Sequence, residues 1–112
     1  MSEKREILFT VELDDQRVPE AIHWQAADAP VEGPQPCDAF LISLWDSGQK
    51  STLRIDLWTK EMQVDHMNAF FFQTLMTMAE TFQNATGNRE VADDIRAFGR
   101  EFARKVEMPP EE

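Results

Sequence analysis

The chain opens with a hydrophobic period of two. In residues 6–13, "EILFTVEL", Ile7, Phe9, Val11 and Leu13 alternate with Leu8, Thr10 and Glu12, which predicts a half-buried strand. "DDQRVP" then supplies turn chemistry, two Asp with a Pro that interrupts regular pairing. "EAIHWQA", residues 20–26, predicts a second, shorter strand with Ile22 and Trp24 toward the core. Residues 26–38, "AADAPVEGPQPCD", carry three Pro and a Gly, so neither a helix nor a central strand is expected to persist there. That segment is read as a mobile surface loop.

"AFLISLWD" (39–46) and "STLRIDLW" (51–58) flank "SGQK", a four-residue hairpin loop with a glycine. Pairing Asp46 with Ser51 sets Leu44 opposite Leu53, Ile42 opposite Ile55 and Phe40 opposite Leu57. All three apolar pairs then share one face, taken as the core face, and a slip by one residue would scramble both faces. The other face receives Trp45 opposite Thr52, Ser43 opposite Arg54, Leu41 opposite Asp56, and Ala39 near Trp58.

After Val64 the period lengthens to about 3.6 residues. Asp65 is the expected N-cap of a helix whose stripe is Phe71, Leu75, Met78 and Phe82, widened by Met67, Phe70, Phe72 and Met76. Gly87 should end it in the left-handed conformation, and Asn88 should cap a second helix striped by Val91, Ile95, Phe98, Phe102 and Val106. Gly99 lies inside that second helix, where a close contact with a neighbouring element would offset its conformational cost. Residues 107–112 read as an acidic tail. The element order β-β-β-β-α-α predicts an α+β fold: a four-stranded antiparallel sheet with two C-terminal helices packed on one face, in a single domain over 1–112.

Charge and composition narrow the classes of partner. Among 112 residues the formal net charge is −10, which repels phosphate backbones and anionic headgroups, so neither nucleic acid nor a membrane surface is an expected partner. The N-terminus has charges where a secretory signal needs an apolar run, and no apolar run approaches the ~18 residues that span a bilayer. One cysteine, Cys37, has no internal partner for a disulfide. A cytoplasmic location is the expectation.

"TLRIDLWTKEMQVDHM", residues 52–67, gathers an Arg, two Asp, a His and a Trp near the strand end and the helix start. A carboxylate beside a His could serve acid–base chemistry, which makes Asp56, Asp65 and His66 the set a small acid–base enzyme or ligand binder would use. Ordinary structural roles cover each of them: strand alternation for Asp56, a cap for Asp65, a first-turn surface position for His66. No nucleophile accompanies them in a recognisable order. His23, His66 and Cys37 lack metal-ligand spacing, and no glycine-rich phosphate loop is present, so no cofactor is expected.

What remains is a surface. Leu41, Trp45 and Trp58 fall on the sheet face opposite the core stripe, beside Arg54 and Asp56, where a two-layer domain should be polar. Either loop 26–38 covers them, or they form an interface with a second copy or another protein, for which Trp and Arg are favoured anchors. The broad apolar helix "MNAFFFQTLMTM" has more to bury than one sheet covers.

Beyond these patterns, "FTVELDDQRVPEAIHW" followed by "LWDSGQKSTLRIDLWTKEMQVDHMNAFFFQTLMTMAETFQNAT" closely resembles the gliding motility protein GldC family. The resemblance runs over about residues 6–106. Its most specific pieces are "WDS", "LRIDLWTK" and the "FF-QTL-MA-TF--AT" pattern; the Pro-rich 26–38 departs from it, and the second helix matches in pattern more than in identity. It implies a small cytoplasmic protein accessory to the gliding machinery rather than its motor, with no catalytic or cofactor residues to carry over. The leading expectation is therefore a non-enzymatic, self-associating protein that works through protein–protein contacts, with partners in the gliding machinery. Four strands followed by two helices on an acidic chain also suggest, by analogy of fold, a holdase chaperone similar to SecB.

Overall fold

A computed structural model describes residues 2–108. The chain divides into two compact units, residues 1–62 and 63–112, each taken by itself below. The acidic tail expected at 107–112 lies, beyond Met108, outside the described residues.

The first unit is all strand: β1 (Ile7–Leu13), β2 (Pro19–Ala26), β3 (Gln35–Cys37), β4 (Ala39–Asp46) and β5 (Ser51–Trp58). The α+β class holds, but the single four-stranded sheet expected from the sequence does not form. Instead β1-β2-β3 make one antiparallel sheet and β4-β5 a second. The reason lies in the segment expected to be a loop. Gln35–Cys37 pairs along β2, with Ile22 opposite Cys37, His23 opposite Pro36 and Trp24 opposite Gln35, and so takes the edge that β4 would have needed. Pro36 is tolerated because β3 is an edge strand, where a missing N–H need not break a ladder. After Asp38 the chain leaves that sheet and enters β4.

Within the second sheet the hairpin register is the one the apolar parity demands. Asp46 faces Ser51, Leu44 faces Leu53, Ile42 faces Ile55 and Phe40 faces Leu57. Asp46 fastens the loop, its Oδ1 accepting from Gly48 N at 2.9 Å and Gln49 N at 3.2 Å.

The two sheets of this unit meet at one end. Thr59 N donates to Asp38 O at 2.8 Å and Lys60 N to Pro19 O at 3.0 Å. The Phe9 and Phe40 rings stand 4.9 Å apart, within the range of favourable aromatic pairing. Ile22, Phe40 and Thr59 are the buried residues here. Asp14 ties the β1–β2 turn to the segment after β5: its carboxylate accepts from the backbone N–H groups of Gln16 and Val18 and from Lys60 Nζ at 2.8 Å.

The second unit is a helical hairpin of α1 (Val64–Thr86) and α2 (Arg89–Lys105). Asp65 is not the cap of α1. Gln63 holds that position with extended backbone and no side-chain cap bond, while Asp65 lies in the first turn, where its charge suits the helix dipole. The other end follows expectation. Gly87 adopts φ 74° and donates to Gln83 O, and the Asn88 side chain accepts from Val91 N at 3.1 Å. Ala79, Ala92 and Gly99 are buried, small residues that let the two helices approach closely. Phe71 stacks on Phe102 at 6.5 Å, and Arg96 joins Asp93 to Gln83 across the hairpin.

Candidate functional site

The five residues singled out for contact all lie on one face of the β4–β5 hairpin. Its cross-strand pairs run Trp45–Thr52, Ser43–Arg54, Leu41–Asp56 and Ala39–Trp58. Trp58 is six positions beyond Thr52 along β5, so at ~3.3 Å per residue the two indoles stand at opposite ends of a strip ~20 Å long. Arg54 and Asp56 occupy the middle, with Leu41 beside Asp56.

This face is open. Trp45 is 67% exposed, Trp58 55% and Leu41 42%, so residues 26–38 do not cover them. Neither Arg54 nor Asp56 forms an ion pair among the described residues. A strip with an apolar anchor at each end and unpaired opposite charges between them has the chemistry of a protein contact. At the Trp58 end a shallow depression of about 320 Å³ opens between Trp58, Val18, Pro19 and Lys60.

The face expected to be core is covered only at one end. Phe40 is buried and Ile42 and Leu57 half-buried, but Leu44, Leu53 and Ile55, nearer the hairpin loop, are exposed. The sequence pattern cannot show this, because period two assigns residues to faces and not faces to neighbours. The helical hairpin has its own exposed apolar residues: Val64, Phe71 and Met78 on α1, Val91 and Phe98 on α2.

The acid–base set is divided. Asp56 belongs to β5 in the first unit, while Asp65 and His66 belong to the first turn of α1 in the second. Asp65 Oδ1 accepts from the backbone N–H of His66 at 3.0 Å, a local bond that leaves the imidazole unoriented. Cys37 is half-buried, and desolvation pushes its thiol pKa up, away from the reactive thiolate. Among the described residues no cluster of His, Cys, Asp or Glu could hold a metal ion, and no helix is long and apolar enough to cross a membrane.

The most perturbed carboxylate lies elsewhere. Asp14 is lowered from 3.8 to about 2, first by the hydrogen bond from Lys60 and then by the backbone N–H of Val18, with a smaller contribution from that of Gln16. The same partnership raises the pKa of Lys60. Sequence reading treated Asp14 only as turn chemistry. Its partner is 46 positions away along the chain, so local pattern carries no signal of the pairing.

Among known proteins, neither the curated sequences nor the solved structures give a match. The family model for the gliding motility-associated protein GldC-like proteins matches residues 19–108, from the first residue of β2 to beyond the end of α2. That span includes the whole β4–β5 strip and the helical hairpin, and the chain belongs to the GldC-like family, associated with gliding motility.

Proposed function

We propose that this protein is a non-enzymatic cytoplasmic accessory of the gliding machinery, that it works by binding other proteins through the β4–β5 strip, and that it also associates with itself. The observation that carries the reading is the open strip itself, with Trp45 and Trp58 at its ends and Leu41, Arg54 and Asp56 between them. Large aromatic side chains left in water forgo ~1.5–3 kcal/mol each that burial against a partner would supply. Family membership supplies the process.

The test places a photo-crosslinking residue at Trp45 in the source cells and compares Trp58→Ala with wild type. A discrete adduct that is lost in Trp58→Ala, together with impaired gliding in Trp45→Ala/Trp58→Ala, supports the proposal. Unimpaired gliding in that double variant, with no adduct at Trp45, would refute it.

A holdase activity resembling that of SecB is the second reading. It is favoured by Leu44, Leu53 and Ile55, which leave the opposite hairpin face open as well. Delayed aggregation of an unfolded client, lost on Leu53→Ser/Ile55→Ser substitution, would support it; no delay at molar excess would exclude it.

A further inference from the structure

β1 ends its three-stranded sheet with an unpaired edge among the described residues, bonded to β2 on one side only. Ile7 is 68% exposed, Leu8 54%, Phe9 37% and Leu13 47%. Edge strands in monomers are commonly protected by Pro, by Lys or by inward charges. Between Ile7 and Leu13 there is no such residue except Glu12, and the one register irregularity lies at the far end, between Glu12 and Leu13.

We propose that two copies of this chain pair antiparallel through β1, about a two-fold axis at Thr10, joining two three-stranded sheets into one of six strands. The proposal deepens the self-association part of the reading above, and it uses a surface separate from the β4–β5 strip. Thr10 is the midpoint of β1. Antiparallel pairing about it sets Ile7 against Leu13 and Phe9 against Val11, so the apolar residues of both copies fall on one continuous face. Leu8 falls opposite Glu12 on the other face.

Charge favours the same occupant and the same direction. The strand is entered through Lys4 and Arg5 and left through Asp14 and Asp15. Glu3 and Glu6 flank the two basic residues, so the complementarity of an antiparallel pair lies in specific neighbours, Arg5 of each copy beside Asp15 of the other and Glu3 beside Arg17. Parallel pairing would set like against like. The one unfavourable neighbour, Glu6 near the partner copy's Asp14, is softened because Lys60 already pairs with that carboxylate. Arg5 bonds Asp28 and Glu3 at the surface, and exposed pairs of this kind exchange at little cost.

The full chain carries the test. Thr10→Cys in a Cys37→Ser background places two thiols across the axis, with Cα atoms ~4.5–5.5 Å apart, inside disulfide range. Mild oxidation is expected to give a covalent dimer, while Ile7→Cys, ~20 Å from its symmetry mate, stays reduced. In sedimentation equilibrium Arg5→Glu should weaken the dimer about tenfold through the two symmetry-related Arg5–Asp15 pairs, and Arg5→Glu/Asp15→Lys should restore it. Trp45→Ala/Trp58→Ala should leave the dimer unchanged. A dimer in which Thr10→Cys stays reduced, or in which the charge swap gives no rescue, overturns the β1 pairing and leaves self-association standing. A monomer at hundreds of micromolar overturns both, and growth beyond the dimer overturns the closed two-fold β1 pairing alone, while the crosslinking test at Trp45 is unaffected.

Discussion

Gly99 offers the sharpest check on how the helical hairpin is held together. A Cβ added there would stand 2.9 Å from Met76 Sδ and 3.7 Å from Leu75 Cβ. The second distance is ordinary contact; the first requires Met76 to move. Replacing a mid-helix Gly by Ala gains up to ~1 kcal/mol of helix propensity. Turning Met76 aside costs ~0.5–1.5 kcal/mol in rotamer strain. In the wild-type background the two effects nearly cancel, so Gly99→Ala should change stability by less than ~0.5 kcal/mol. In a Met76→Ala background the obstacle is gone, and the same substitution should stabilise by the full ~1 kcal/mol. The double-mutant cycle therefore yields a coupling of about 1 kcal/mol, of the sign expected for a relieved clash. Gly99→Val, which adds bulk that Met76 alone cannot clear, should cost about 2 kcal/mol. Urea unfolding followed by the helical circular dichroism signal at 222 nm measures all four variants. Equal stabilisation by Gly99→Ala in both backgrounds would show that Met76 does not oppose the Cβ, and the close-approach account of Gly99 would fail.

Three further outcomes follow from the bonds described. Because the folded pKa of Asp14 lies at about 2, below its ordinary 3.8, the stabilisation from its ionised form is complete above that ordinary value and is lost as pH falls toward 2. The Asp14 carboxyl carbon should accordingly titrate near 2 by NMR. In Lys60→Met its midpoint should rise toward 3.8; an unchanged midpoint would remove Lys60 as the main cause. Asn88→Ala loses the cap bond to Val91 N and should destabilise the helical hairpin by ~1 kcal/mol, read by thermal melting at 222 nm. Gly87→Ala forces a side chain into φ 74° and should cost ~1 kcal/mol in the same assay, whereas Gly87→Asn, which tolerates that region better, should cost less.

Local patterns were readable wherever the cause is local. The β4–β5 register follows from three apolar pairs and one loop length, and every predicted pair is present. Gly87 and Asn88 announce a helix end and a helix start by their own backbone and side-chain chemistry. Asp65 misled because a capping residue type one or two positions inside a helix looks the same in sequence as a cap. The sheet was misread because Gln35–Cys37 carries a Pro and has only three residues, too few for a period to show. Its strand identity comes from β2, which offers an unpaired edge close by, and that offer is tertiary.

The same distinction explains the candidate surface. Parity placed Leu41, Trp45, Arg54, Asp56 and Trp58 together correctly, yet it also marked Leu44, Leu53 and Ile55 as core, and those three are exposed. A strand with apolar residues on both faces specifies two coverings, and the first unit supplies part of one. At the Phe40 end the two sheets meet and the hairpin is covered; toward the loop at 47–50 both faces remain open. Leu41 and Trp45 on the outer face of β4, with Trp58 on that of β5, are large apolar residues on a face that already alternates with Ser43, Thr52, Arg54 and Asp56, where polar side chains throughout would keep the hairpin in water at no cost to its pairing. The net charge of −10 supplies the solubility that the hairpin does not. High charge elsewhere and exposed Trp45, Trp58 and Leu41 on the hairpin are the two features on which the proposed protein-contact role rests.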